Sequence, residues 1–156
     1  MKYCLKDRIQ DFEFHDSIFS FVSWGSDCLV LSARHLNLHK DTIASLGNTD
    51  LEIENAKITF HGFSVRSFEP GRVWEKDENG NSYTKESLVI YTDDEARVKL
   101  EQELRQDLWV YHFEKALDGY EIGASGKEPY FTVYVVFDSV DVEWESFCGN
   151  AWYEKK

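Results

Sequence analysis

Apolar and polar residues alternate over much of this chain, the two-residue period of strands with one buried face. Residues 130–137 show it most clearly: Phe131, Val133, Val135 and Phe137 share one face, and Tyr130, Thr132 and Tyr134 the other. The second face is itself half apolar, which predicts a central strand. Residues 18–23 and 28–38 are two further apolar-rich runs, and Trp24-Gly25-Ser26-Asp27 between them predicts a hairpin. Along 28–38 the apolar phase shifts from Leu29 and Leu31 to Leu36 and Leu38. Along 56–68 it shifts from Ile58 and Phe60 to Phe63 and Val65, with Gly62 between. Each run is read as one long strand kinked by a bulge, so the sheet is expected to be strongly bent. Residues 87–91, 140–145 and 147–153 read as further strands. Residues 108–116 and 119–123 form a hairpin around Asp118-Gly119.

One stretch departs from this period. Ala96, Leu100, Leu104 and Leu108 recur every fourth residue, the buried stripe of a helix. Thr92-Asp93-Asp94-Glu95 before it has the form of a capping box, and its acids suit the helix dipole. Arg97, Lys99, Glu101, Glu103 and Arg105 are read as the solvated surface. The fold class is therefore α+β: a bent, predominantly antiparallel β-sheet meander with one main helix, at about 93–106, packed on one face. Residues 39–50 read as a loop. Residues 69–86, with Pro70-Gly71 and Asn79-Gly80, read as a mobile loop or long hairpin tip.

Composition adds that residues 1–156 fit a single domain, burying about 70% of the surface of the unfolded chain. With 42% hydrophobic residues the core needs neither disulfides nor a structural metal. Cys4, Cys28 and Cys148 are scattered and odd in number, unlike a disulfide framework or a four-ligand zinc site. No apolar run follows the charges of the first residues, and none approaches the roughly 20 residues that span a bilayer. A cytoplasmic location is expected. The net charge of −12, from 29 acids against 17 bases, opposes binding to nucleic acid or membrane and favours a basic partner.

The most unusual local feature is an acidic row. Asp141, Glu143 and Glu145 alternate with Val140, Val142 and Trp144, which on a strand sets three carboxylates about 7 Å apart on one face. Such a row can dock lysine and arginine side chains, with Phe147, Trp152 and Tyr153 as aromatic anchors. It can equally be the charged face of an edge strand that keeps other strands away. A second constellation is His15, Asp16, His35 and His61, placed near strand starts and phase shifts, where a metal could be held or an acid–base group positioned. No metal-ligand spacing supports it, and neither a nucleophile turn nor a phosphate-binding glycine loop is present. No catalytic residue and no cofactor is assigned.

Two stretches, Phe12-x-Phe14-His15-Asp16-Ser17 and Val140-x-Val142-Glu143-Trp144-x-x-Phe147-x-Gly149-x-Ala151-Trp152-Tyr153-Glu154, resemble patterns in small uncharacterised bacterial cytoplasmic proteins. Some of these look like immunity proteins of polymorphic toxin systems. That resemblance implies binding without catalysis, and no residue role is taken from it.

The expected function is thus an acidic protein-binding module, such as an immunity-type inhibitor of a basic toxin, for example a nuclease. The alternative is a small metal-dependent enzyme or ligand-binding protein using His15, Asp16, His35 and His61. A third possibility is a small-ligand carrier, with the bent sheet and helix enclosing an aromatic pocket.

Overall fold

The computed structural model describes residues 1–71, 74–84 and 89–154. Its strands are β1 (Tyr3–Lys6), β2 (Phe12–Glu13), β3 (Ile18–Trp24), β4 (Cys28–Arg34), β5 (Asn37–Leu38), β6 (Leu51–Ile53), β7 (Ala56–His61) and β8 (Ser64–Pro70). After these come β9 (Trp74–Lys76), β10 (Ser82–Thr84), β11 (Tyr91–Thr92), helix α1 (Asp93–Leu104), β12 (Leu108–Ala116) and β13 (Gly119–Ser125). The chain closes with β14 (Phe131–Val136), β15 (Ser139–Trp144), β16 (Phe147–Asn150) and a 3-10 turn over Trp152–Glu154.

Ten strands make one antiparallel sheet in the order β1-β15-β7-β4-β3-β12-β13-β14-β8-β11. A four-stranded sheet, β16-β6-β5-β2, covers part of it, and β9 and β10 pair as a separate hairpin. The expected α+β class, antiparallel sheet and single main helix are all present. The hairpins β3–β4 and β12–β13 fall where the turn residues placed them. The central character of residues 130–137 is met, since β14 lies between β13 and β8. Asn79-Gly80 lies in the turn joining β9 to β10, where the Asp77 carboxylate accepts the N–H groups of Asn79 and Asn81. The expected strand over 87–91 begins outside the described residues, and Tyr91 opens β11.

The large sheet is rolled. β7 and β12 are three strand spacings apart, about 14 Å in a flat sheet. Yet Phe60 of β7 stacks on Phe113 of β12 with ring centroids 6.2 Å apart. Phe60 also packs on Phe137, just beyond β14, at 5.0 Å. Helix α1 lies against β8, β11 and β3, and Ala96, Leu100 and Leu104 bury the expected stripe there. Leu108 continues the stripe in sequence but belongs to β12. Between the helix and the sheet lies a void of about 20 Å³, lined by Phe19, Phe60, Leu104 and Phe131 among others. That is room for about one water. At this place the interior is filled by side chains.

Four local expectations are corrected. The phase shift at residues 34–35 is a change of sheet: β4 ends at Arg34, His35 takes φ +57°, and the chain enters the small sheet as β5. At Gly62, φ +64°, the chain leaves β7 and reappears as β8 elsewhere in the sheet. Thr92 sits at the helix N-cap, but its hydroxyl makes no capping hydrogen bond. Glu103, expected on the solvated surface, is buried, and its carboxylate accepts the N–H groups of Lys127 at 2.7 Å and Glu128 at 3.2 Å. The bases on the helix are not merely solvated either: Arg97, Arg105 and Lys99 lie over the rings of Trp24, Phe21 and Tyr91. These cation–π contacts fasten the helix to the rolled sheet.

The β12–β13 hairpin yields a first prediction. Leu117 at its tip is 91% exposed and has φ +51°, a conformation costly for a branched side chain. Leu117→Gly is expected to raise stability by about 0.5–1 kcal/mol, read as a higher urea midpoint with an unchanged m-value.

Candidate binding cleft

Where the small sheet meets the C-terminal turn, Glu13, His15, His39, Asp50, Trp152 and Tyr153 line an open cleft of about 400 Å³. Four separate pieces of chain form it. Glu13 ends β2, and its Oε1 accepts the His15 N–H at 2.9 Å. Beyond it the chain turns sharply out of the small sheet. Ser17 donates from both its N–H and its hydroxyl to the Phe14 carbonyl, and Asp16 takes φ +70°, a conformation aspartate tolerates. That turn holds Asp16 Oδ2 3.0 Å from Nδ1 of His15, while its Oδ1 accepts the Trp109 indole N–H at 3.0 Å. The His15 ring lies 6.4 Å from that of Trp152, which is 50% exposed.

The opposite wall is built around Asp50, which immediately precedes β6. Its Oδ1 accepts the Lys40 N–H at 2.9 Å. Its Oδ2 accepts the Tyr153 hydroxyl at 2.6 Å and lies 3.1 Å from Nδ1 of His39. The backbone of Asp50 binds the C-terminal turn as well: its carbonyl accepts the Ala151 N–H, and its N–H donates to Glu154. Burial acts to raise the Asp50 pKa. The hydrogen bonds from Tyr153, Lys40 and His39, with the His39 charge, outweigh it and hold the carboxyl below its ordinary value. Burial and the Asp50 hydrogen bond, with the charges of Asp50, Glu13 and Glu154, push the Tyr153 phenol far above its ordinary value.

Each aspartate therefore takes the Nδ1 side of an imidazole. In the neutral form of each ring this selects the tautomer with its hydrogen on Nδ1 and leaves Nε2 of His15 and His39 as acceptors. Neither Nε2 has a hydrogen-bond partner among the described residues. Among the described residues, no lysine or arginine lines the cleft.

The expected site residues divide between this cleft and other places. Trp152 and Tyr153, read as anchors, and His15 with Asp16, read as a separate constellation, come together here. The two stretches that carry the sequence resemblance thus meet at one place. Asp141 and Glu143 alternate with buried residues on β15, Glu145 lies in the bend just beyond it, and none of the three lines the cleft. β15 is flanked on both sides, by β1 and β7, so it is not an edge strand. The three carboxylates have intrachain partners: Asp141 with His61 at 3.0 Å, Glu143 with Lys57 at 3.9 Å, and Glu145 with the Lys2 N–H at 3.1 Å. Phe147 is partly buried, packed on Tyr3 and Trp144. His35 is bonded to Glu52. His15, His35 and His61 each bond a different carboxylate, and no three His, Cys, Asp or Glu side chains among the described residues are placed to hold a metal ion.

Glu13 and Asp50 were not singled out from the sequence. Glu13 could have been, as an acid two residues before His15. The pairing of His39 with Asp50 leaves no local signal, because the loop between them has no periodicity. No protein-family model matches the chain, and no curated protein or solved structure matches it. Among the described residues, no helix is long and apolar enough to cross a membrane.

Proposed function

We propose that this chain is an acidic module that binds a basic protein, of the kind immunity-type inhibitors represent, acting in the cytoplasm. The observation that carries this reading is the cleft: two carboxylates, two imidazoles and a half-exposed tryptophan in one concavity, with no cation among the described residues that line it. Aromatic side chains in a concave site are the usual energetic centre of an interface, and the net charge of −12 draws a basic partner towards it. The acidic row on β15 serves approach more than anchoring, since its carboxylates are already shared with Lys57, His61 and the backbone of Lys2.

The test is capture from a lysate of the source organism at low salt, elution by a salt gradient and identification by mass spectrometry. A basic protein held by the wild-type chain and lost from Trp152→Ala is the expected result. Replacing Asp141, Glu143 and Glu145 with lysine is expected to slow association several-fold at low salt and to leave dissociation nearly unchanged. Dissociation accelerated as strongly as by Trp152→Ala would move the anchoring site to β15.

A further inference from the structure

Resting on this binding reading, we infer that the cleft takes the guanidinium group of one arginine side chain of the partner. The argument is one of hydrogen-bond polarity. Asp16 and Asp50 favour the Nδ1–H tautomers of His15 and His39, so both rings, when neutral, offer Nε2 as an acceptor. The Tyr153 hydroxyl spends its hydrogen on Asp50 and keeps only lone pairs to offer. Glu13 uses Oε1 on the His15 N–H, and Oε2 has no partner among the described residues. Asp50 is already occupied by Lys40, His39 and Tyr153, so its role is to position the other groups.

Among the described lining side chains, with both imidazoles neutral, acceptors thus outnumber donors, and the Trp152 indole N–H alone is left to donate. A carboxylate or phosphate group would meet lone pairs and negative charge. A neutral ligand would leave the Glu13 charge unanswered. A guanidinium brings five N–H donors in a plane, a charge that stays on at all accessible pH values, and a flat face that stacks on an indole. Trp152 supplies that face beside His15. An ammonium has fewer donors, keeps its hydration more tightly and stacks less well.

The test titrates ¹⁵N-labelled protein with N-acetyl-arginine amide, N-acetyl-lysine amide and N-acetyl-citrulline amide, the last being the neutral isostere of arginine. Amide shifts should be confined to residues 13–16, 39–40, 50 and 152–154. The arginine probe should bind in the millimolar range, the lysine probe several-fold more weakly, and citrulline should cause no saturable shift. Glu13→Gln, with shifts elsewhere unchanged as evidence of folding, should weaken arginine binding about tenfold, and Trp152→Ala should do so comparably. Equal binding of citrulline and arginine, or arginine shifts centred on β15, overturns the inference. Two outcomes separate it from the reading beneath it. A basic protein captured equally by wild type and Glu13→Gln, without saturable arginine binding, sinks the inference and leaves the binding module standing. Saturable arginine binding in the cleft with no basic protein captured does the reverse.

Discussion

Replacing Trp144 with alanine is expected to cost about 3–5 kcal/mol, the range for deleting a buried aromatic side chain. Trp144 is fully buried at the end of β15. Its ring stacks on Tyr3 of β1 at 5.2 Å, meets Phe12 of β2 edge-on at 5.9 Å and Phe147 of β16 at 5.8 Å. It therefore joins the edge of the large sheet to both outer strands of the small one. At this chain length the loss corresponds to a fall in Tm of roughly 10 °C or more, measured by calorimetry. Trp144→Phe separates the causes. Phenylalanine keeps an aromatic ring and removes an indole N–H that is buried without a hydrogen-bond partner among the described residues. It is expected to cost less than half as much, and an equal loss would show that ring size alone decides.

The second large effect is expected at Asp50. Asp50→Ala removes the acceptor for Lys40, His39 and Tyr153 together, and hydrogen bonds to a charged group contribute about 1.5–3 kcal/mol each without adding fully. A net loss of about 3 kcal/mol is expected in urea melts at neutral pH. The pH dependence gives a second readout. The Asp50 pKa is lowered on folding, so its contribution is present above the unfolded value of about 3.9 and fades as pH falls through the lower folded value. The Tyr153 pKa is raised, so its contribution is complete below the unfolded value of about 10 and is lost as pH rises beyond it. The gap between wild type and Asp50→Ala should therefore be widest at neutral pH and narrow at both extremes. A gap independent of pH would mean that Asp50 acts through packing alone.

Local chemistry marked the elements of this fold more reliably than their partners. The helix stripe, two hairpin turns and the central strand over residues 130–137 were legible because each is written in adjacent residues. The phase shifts around His35 and Gly62 were also visible, but a bulge and a change of sheet leave the same trace in a one-dimensional pattern. Glu103 was misread because a buried carboxylate satisfied by two distant backbone N–H groups looks, in sequence, like any helix-surface acid. At the cleft, Trp152, Tyr153, His15 and Asp16 were each noticed, but in two unrelated constellations. What joins them is the docking of the C-terminal turn against Asp50, a long-range contact that no periodicity encodes.

The place of β15 between β1 and β7 also bears on how the chain acquires its structure. Tyr3 faces Trp144 across the β1–β15 ladder, and Ala56 faces it from the other side. Neither neighbour can complete its pairing until residues 139–144 have left the ribosome, so an apolar strand edge stays open until then. Pairing at such sequence separation is slow, and open edges invite association between chains. Refolding of the purified protein should be slow for its size, on a timescale of milliseconds to seconds. Nascent chains that stop short of β15 should be the species that aggregate.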